Sequence, residues 1–218
     1  MIGIFDSGIG GKSIQKEIEK LLPEAKIEYL ADKKNFPYGT KSPSQIRKIA
    51  KTNTEYLINK GANLIVVACN TATVHAINYL RETFPATTFV GVEPAVKPAG
   101  LFGKRGVIIL SSPKATQSEQ LQTLINKYLI GRKIFNIGSL ELVEAVENNS
   151  SSETIKTILS KILPVNILKG SDVIVLGCTH FPLIKNEIAK FVGKKIKIID
   201  SGKAVAKQVK RKYVLLPD

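Results

Sequence analysis

Val66-Val67-Ala68-Cys69-Asn70-Thr71 and Val175-Leu176-Gly177-Cys178-Thr179-His180 are two versions of one pattern: an apolar run, a small residue, a cysteine, then polar residues. A short apolar run of this kind predicts a buried strand, and the polar residues after it open a helix. The two copies are separated by half the length of the 218-residue chain. The echo predicts two similar α/β lobes, each presenting one cysteine at the carboxyl end of a strand, where open α/β sheets bind ligands.

Outward from these copies, strand-like runs alternate with amphipathic helical stretches, which is the signature of mostly parallel sheets flanked by helices. In the first half the expected strands are Ile2–Phe5, Ile27–Leu30, Leu64–Ala68 and Phe89–Val92. Helices are expected over Lys12–Leu22, Ser44–Lys60 and, following Cys69-Asn70-Thr71, to about Thr83. In the second half strands are expected at Gly106–Leu110, Lys133–Asn136, Val173–Leu176 and Ile196–Ile199. The intervening helices are Thr116–Lys127, Leu140–Val146, a long one opened by the capping-box pair Ser150 and Glu153 and reaching Lys169, and Leu183–Phe191. Pro94 disfavours helix at Glu93, which marks a crossing between lobes, and a second crossing is expected near Ile199–Ser201. The first lobe is therefore expected to comprise residues 1–93 plus 200–218, and the second residues 94–199, with the active site in a cleft between them.

Composition narrows the function classes. With 44% hydrophobic and 23% charged residues the chain reads as globular. No apolar run approaches the roughly 18 residues of a membrane helix, and Met1–Phe5 leads into Asp6 without a basic leader, so a cytoplasmic protein is expected. Two distant cysteines and two histidines exclude a disulfide framework or zinc module, so no metal is expected. The net charge is +14, carried by 27 Lys and only five Arg, and half of that excess lies in Lys185–Asp218. Lys203, Lys207 and Lys210 can share one helical face. With so little Arg, any nucleic-acid binding would be nonspecific, and the competing non-enzymatic reading is a binding module that docks an acidic partner on this basic tail.

The turn Asp6-Ser7-Gly8-Ile9-Gly10-Gly11-Lys12-Ser13 is neither a P-loop, which needs Gly at position 6, nor a dinucleotide fingerprint, which needs Gly at 13. It remains a strand-to-helix turn whose N–H groups can hold a carboxylate, and Asp6 reads either as a helix cap or as an acid–base partner. A single cysteine is usually a small buried hydrophobe. A pair at equivalent strand ends suits thiolate chemistry, because a helix N-terminus lowers a thiol's pKa. His180 lies two residues from Cys178, while His75, inside a helix, reads as structural.

Together Asp6-Ser7-Gly8-Ile9-Gly10-Gly11, Pro37-Tyr38-Gly39, Ala68-Cys69-Asn70-Thr71-Ala72, Gly91-Val92-Glu93-Pro94-Ala95 and Gly177-Cys178-Thr179-His180-Phe181-Pro182 resemble the glutamate racemases of the aspartate/glutamate racemase family, in order and over nearly the whole chain. The histidine after the second Cys-Thr favours glutamate over aspartate. The resemblance implies a cofactor-independent, two-base isomerase in which Cys69 and Cys178 flank the substrate Cα. It implies that Asp6 partners Cys69, that His180 partners Cys178, and that Glu147 lies near the second cysteine. Asp6, Ser7, Tyr38, Gly39, Asn70, Thr71, Thr179 and His180 match segments that hold the amino acid, with Thr116 a further contact. A homodimer that feeds D-glutamate to peptidoglycan synthesis is the family expectation. Racemisation of aspartate or a related amino acid is the competing enzymatic reading.

Overall fold

Ile2–Asp6 forms β1, five buried residues at the centre of the first sheet. The computed structural model describes residues 1–215. β1 pairs in parallel with β2 (Ile27–Ala31) on one side and with β3 (Leu64–Val67) on the other, and β4 (Thr88–Gly91) adds to β3. The strand order β2-β1-β3-β4 reverses direction between β1 and β3, the position where a crevice opens at the carboxyl edge. Helices α1 (Lys12–Leu21), α2 (Pro43–Asn59) and α3 (Asn70–Thr83) make the connections. A parallel sheet must be covered on both faces, and the period-2 alternation of side chains divides the core accordingly. Phe5, Ile65 and Val67 pack with Ile46, Ala50 and Leu57 of α2 and with Ala72, Ala76 and Leu80 of α3. Ile2, Ile4, Leu64 and Val66 belong to the opposite core, with Ile14 and Ile18 of α1.

The unit Pro94–Asp200 repeats the plan. It contains α4 (Val96–Phe102), β5 (Gly106–Ser111), α5 (Pro113–Thr116), α6 (Glu119–Tyr128), β6 (Lys133–Gly138), α7 (Leu140–Glu147), α8 (Ser152–Ile162), α9 (Val165–Lys169), β7 (Val173–Leu176), α10 (Lys185–Val192) and β8 (Lys197–Ile199). Its parallel order is β6-β5-β7-β8, with the reversal between β5 and β7. Val107, Ile109, Val173 and Val175 pack against Val96 and Ala99 of α4 and Leu121 and Ile125 of α6. Asp200 ends the unit, accepting a 2.7 Å hydrogen bond from Lys185 Nζ.

The other compact unit is Met1–Glu93 with the segment from Ser201 onward. That segment forms α11 (Gly202–Tyr213), whose Val205, Ala206 and Val209 enter the core beside Ile4, Ile14 and Val66. Lys203, Lys207, Lys210, Arg211 and Lys212 are exposed on its outer side.

Two helical expectations require correction, and one helix is an addition. The helix expected from Ser150 to Lys169 is two helices. Ser150 belongs to the turn closing α7, its N–H donating to Ala145 O, and Ser151 is the cap, its hydroxyl accepting from Thr154 N at 3.2 Å. Pro164 then divides α8 from α9, because it lacks an N–H and disfavours helical backbone at Leu163. The helix expected at Thr116–Lys127 is α6, which starts later, at Glu119, with Ser118 as its cap accepting from Leu121 N. Helix α4 was not expected at all. Its Pro98 lies in the first turn, where the missing N–H costs nothing, and Gly100 is required because a Cβ there would come within 2.3 Å of Tyr128 O.

Candidate active site

At the carboxyl edge of the first sheet the residues following β1 and β3 stand side by side. Ala68 N donates to Phe5 O at 2.9 Å, which extends the pairing and brings Cys69 beside Ser7, with Sγ and Oγ 3.9 Å apart. Asp6 and Ser7 are both buried. The turn after β1 does hold a carboxylate through its N–H groups, and the carboxylate is its own: Gly11 N donates to Asp6 Oδ2 at 2.7 Å. Tyr29 bridges the same turn by donating its hydroxyl to Gly8 O at 2.7 Å.

Cys69 is the N-cap of α3, in extended conformation and with no capping bond from its side chain. Cys69 therefore stands at the positive end of the 14-residue helix, a position that favours thiolate. Asn70 and Thr71 fill the first turn and are buried.

Tyr38 opens a short 3-10 turn, Tyr38–Thr40, that also contains Gly39. It is buried, and its hydroxyl donates to Asp32 Oδ2 at 2.7 Å. Burial, then the Asp32 hydrogen bond and charge, hold its phenol pKa far above the ordinary value of 10.0, and Cys69 and Asp6 add to the effect. Asp32 and Asn53, which completes this cluster, were not among the sequence candidates. Two signals pointed to them: Asp32 directly follows a parallel strand, and Asn53 is a polar residue on the core-facing stripe Ile46, Ala50, Asn53 and Leu57.

The second unit builds its thiol differently. Cys178 follows β7 but precedes only the short 3-10 turn Phe181–Ile184, so the expected helix terminus is replaced by a side-chain relay. Cys178 Sγ lies 3.7 Å from His180 Nδ1, and His180 Nε2 lies 2.9 Å from Glu147 Oε2 at the end of α7. The His180 and Glu147 side chains are 2% and 9% exposed. A carboxylate on Nε2 makes that nitrogen the N–H donor and leaves Nδ1 facing the sulfur as acceptor. Thr179 is buried between the two.

The structure thus joins Asp6, Ser7, Cys69, Asn70 and Thr71 at one edge in the first unit, and Cys178, His180 and Glu147 in the second. Thr116 stands apart from that relay: its hydroxyl donates to Pro113 O at 2.6 Å and its carbonyl accepts from Asn136 Nδ2. Among the described residues, no three His, Cys, Asp or Glu side chains cluster as a metal site requires, and no helix is long and apolar enough to cross a membrane.

Residues 11–209 match the family model for Asp/Glu/hydantoin racemases. The chain is 41% identical over 212 residues to a glutamate racemase of Herpetosiphon aurantiacus, covering 96% of this chain and 83% of the relative. It is 38% identical over 213 residues to one from Clostridium perfringens, covering 97% and 82%. Among solved structures, Escherichia coli glutamate racemase in complex with L-glutamate and the activator UDP-MurNAc-Ala superposes with a TM-score of 0.92 at 33% identity, over 100% of this chain and 84% of that one.

Proposed function

The chain belongs to the Asp/Glu/hydantoin racemase family, and from that premise we propose that it interconverts L- and D-glutamate by two-base proton transfer, each unit contributing one thiol. The observation that carries this reading is the Cys178–His180–Glu147 relay, at 3.7 and 2.9 Å, which stands after β7 where Cys69 stands after β3. In one direction a cysteine thiolate removes the α-proton, leaving the substrate as a carbanion and the sulfur as a thiol. The other cysteine, as a thiol, delivers its own proton to the opposite face of Cα and becomes the thiolate. The reverse reaction exchanges the roles.

The residues suit these steps. The helix terminus of α3 favours the anionic form of Cys69, and Asp6 supplies a neighbouring carboxylate held by Gly11 N. His180 Nδ1 can take the Cys178 proton, and Glu147 then faces the imidazolium through a 2.9 Å contact. The amino acid itself is held by Ser7, Asn70, Thr71 and Thr179, by the Tyr38-Gly39 segment, and by Thr116. Donors fixed before the substrate arrives stabilise charge developing on its α-carboxylate without reorganisation. No cofactor has a part in this scheme. Its product would supply peptidoglycan synthesis in the cytoplasm. A homodimer and weak nonspecific attraction of polyanions to the basic face of α11 complete the reading, testable by sedimentation and by a salt titration with duplex DNA.

Circular dichroism of L-glutamate incubated with the protein, beside L-aspartate, tests the substrate. Faster loss of signal with aspartate overturns glutamate. Cys69→Ser and Cys178→Ser are each expected to lower kcat by about 10³-fold or more, since the members of a cooperating pair are not independent. Exchange of the α-hydrogen in D2O should survive in each variant from one enantiomer only, and exchange from both would sink the two-base scheme.

A further inference from the structure

Asp32 is buried directly after β2, and the proton transfer proposed above makes no use of it. Its N–H donates to Asp6 O at 2.9 Å, so its carboxylate stands one strand away from Asp6. Oδ2 accepts from the Tyr38 hydroxyl at 2.7 Å and from Asn53 Nδ2 at 3.1 Å, and Oδ1 accepts from Asn35 Nδ2 at 2.9 Å. Asn53 Nδ2 also donates to the Tyr38 oxygen at 2.9 Å, which closes a three-membered ring of hydrogen bonds. Every group facing Asp32 in this ring is a donor, as an ionised carboxylate requires. A buried charge is costly unless it is fully hydrogen-bonded, and breaking such a set is strongly destabilising locally. The Tyr38 hydroxyl gives its proton to Asp32 and accepts from Asn53, so its ordinary hydrogen-bonding capacity is engaged inside the protein.

We propose that Asp32 and Asn53 are positioning residues for amino-acid binding: they clamp Tyr38, and through it the Tyr38–Thr40 turn, while the Tyr38 hydroxyl itself makes no contact with the substrate. The proposal rests on the glutamate racemase reading and deepens it. A three-residue 3-10 turn has little intrinsic stability, so its posture must come from outside it. Asp32 and Asn53 supply that posture from two separate elements, the end of β2 and the middle of α2. Without the clamp the turn would have to be ordered at the moment of binding, which weakens affinity while leaving the thiols in place. Contact between the substrate and this segment is then through main chain or ring.

The test is a set of variants, Asp32→Asn, Asn53→Ala and Tyr38→Phe, alone and in pairs, followed by steady-state racemisation of glutamate and by thermal melting. Asn53→Ala keeps the Asp32–Tyr38 bond and is the mildest, so it reads out even if Asp32→Asn fails to fold. The expected result is a KM raised about tenfold with kcat within about threefold of wild type. Double variants should be little worse than the worse single one, because one ring is broken only once. A raised KM for Tyr38→Phe with Asp32→Asn and Asn53→Ala unaffected would mean that the hydroxyl touches substrate, and would overturn the proposal. A loss confined to kcat in all three would do the same. Melting distinguishes the two levels: additive shifts for Asp32→Asn and Tyr38→Phe overturn the clamp, whereas coupled shifts in a wild type that cannot racemise glutamate overturn the functional reading instead.

Discussion

Gly11 governs the geometry of Asp6, for reasons of space and not of backbone freedom. Its φ of −61° is open to any residue, but a Cβ would lie 2.9 Å from Asp6 Cβ and from the Tyr29 hydroxyl, and 3.0 Å from Ala68 Cβ. Gly11→Ala is expected to cost about 1–3 kcal/mol in urea unfolding, and to depress kcat beyond what the lost stability explains, because Asp6 must shift. Tyr38 makes a prediction in pH. Its phenol pKa is raised, by burial first and then by Asp32, so the folded protein keeps it protonated where an unfolded tyrosine ionises. Stability contributed this way is complete below the ordinary value of 10.0 and declines as the pH rises past it. Tyr38→Phe should flatten that decline and leave the alkaline limb of the rate profile where it was, a comparison made by melting and kinetics across the same buffers. At this scale the thiols and His180 were legible because strand, cysteine and polar opening lie consecutively in the chain. Asp32 and Asn53 were less so: each carries a local signal of its own, but nothing local joins two positions that stand 21 apart in the chain.

Asp172 illustrates the same point for whole elements. It stands just before β7, and its Oδ2 accepts from Lys104 N and Arg105 N, both at 3.0 Å, pinning the segment that enters β5. Burial pushes its carboxyl pKa up, but those N–H groups and the Arg105 charge outweigh it and hold the group below its ordinary 3.8. A lowered folded value stabilises the protein above pH 3.8, and that stabilisation is lost as the pH falls through the folded pKa. Asp172→Ala should cost about 1.5–3 kcal/mol at neutral pH, with the gap to wild type closing on acidification, as followed by urea titration at several pH values. The parallel strands were readable because buried β-branched runs are short and bounded. Helix α4 was not, since Pro98 and Gly100 are breakers in any local reading and are accommodated only by their places in the first turn and against Tyr128. The break at Pro164 follows from the local rule for proline, which outweighs the capping pair upstream. The pairing of Glu147 with His180 spans 33 residues and entered through family resemblance alone.

On the scale of the whole molecule, the first unit draws on two separated stretches of chain, and α11 supplies the second. Val205 and Val209 lie in the core with Ile4, Ile14 and Val66, so Val209→Ala should lower the stability of that unit by about 1–3 kcal/mol. Hydrogen exchange should register the loss in β1 and α1 while the protection of β5 and β7 is unchanged. The division into repeated halves followed from the cysteine echo, whereas the seating of α11 in the first core depended on packing that the Lys-rich tail conceals. Its position in the chain also orders events during synthesis. The whole of residues 94–200 must be translated between Glu93 and α11, which takes roughly 5–20 s at ribosomal speeds. Through that interval Ile4, Ile14 and Val66 lack their last partners, while the contiguous middle unit can close as soon as it emerges. The half made first is therefore the half finished last, and nascent chains stalled before Ser201 should resist protease in the middle unit while remaining cleavable in the N-terminal one.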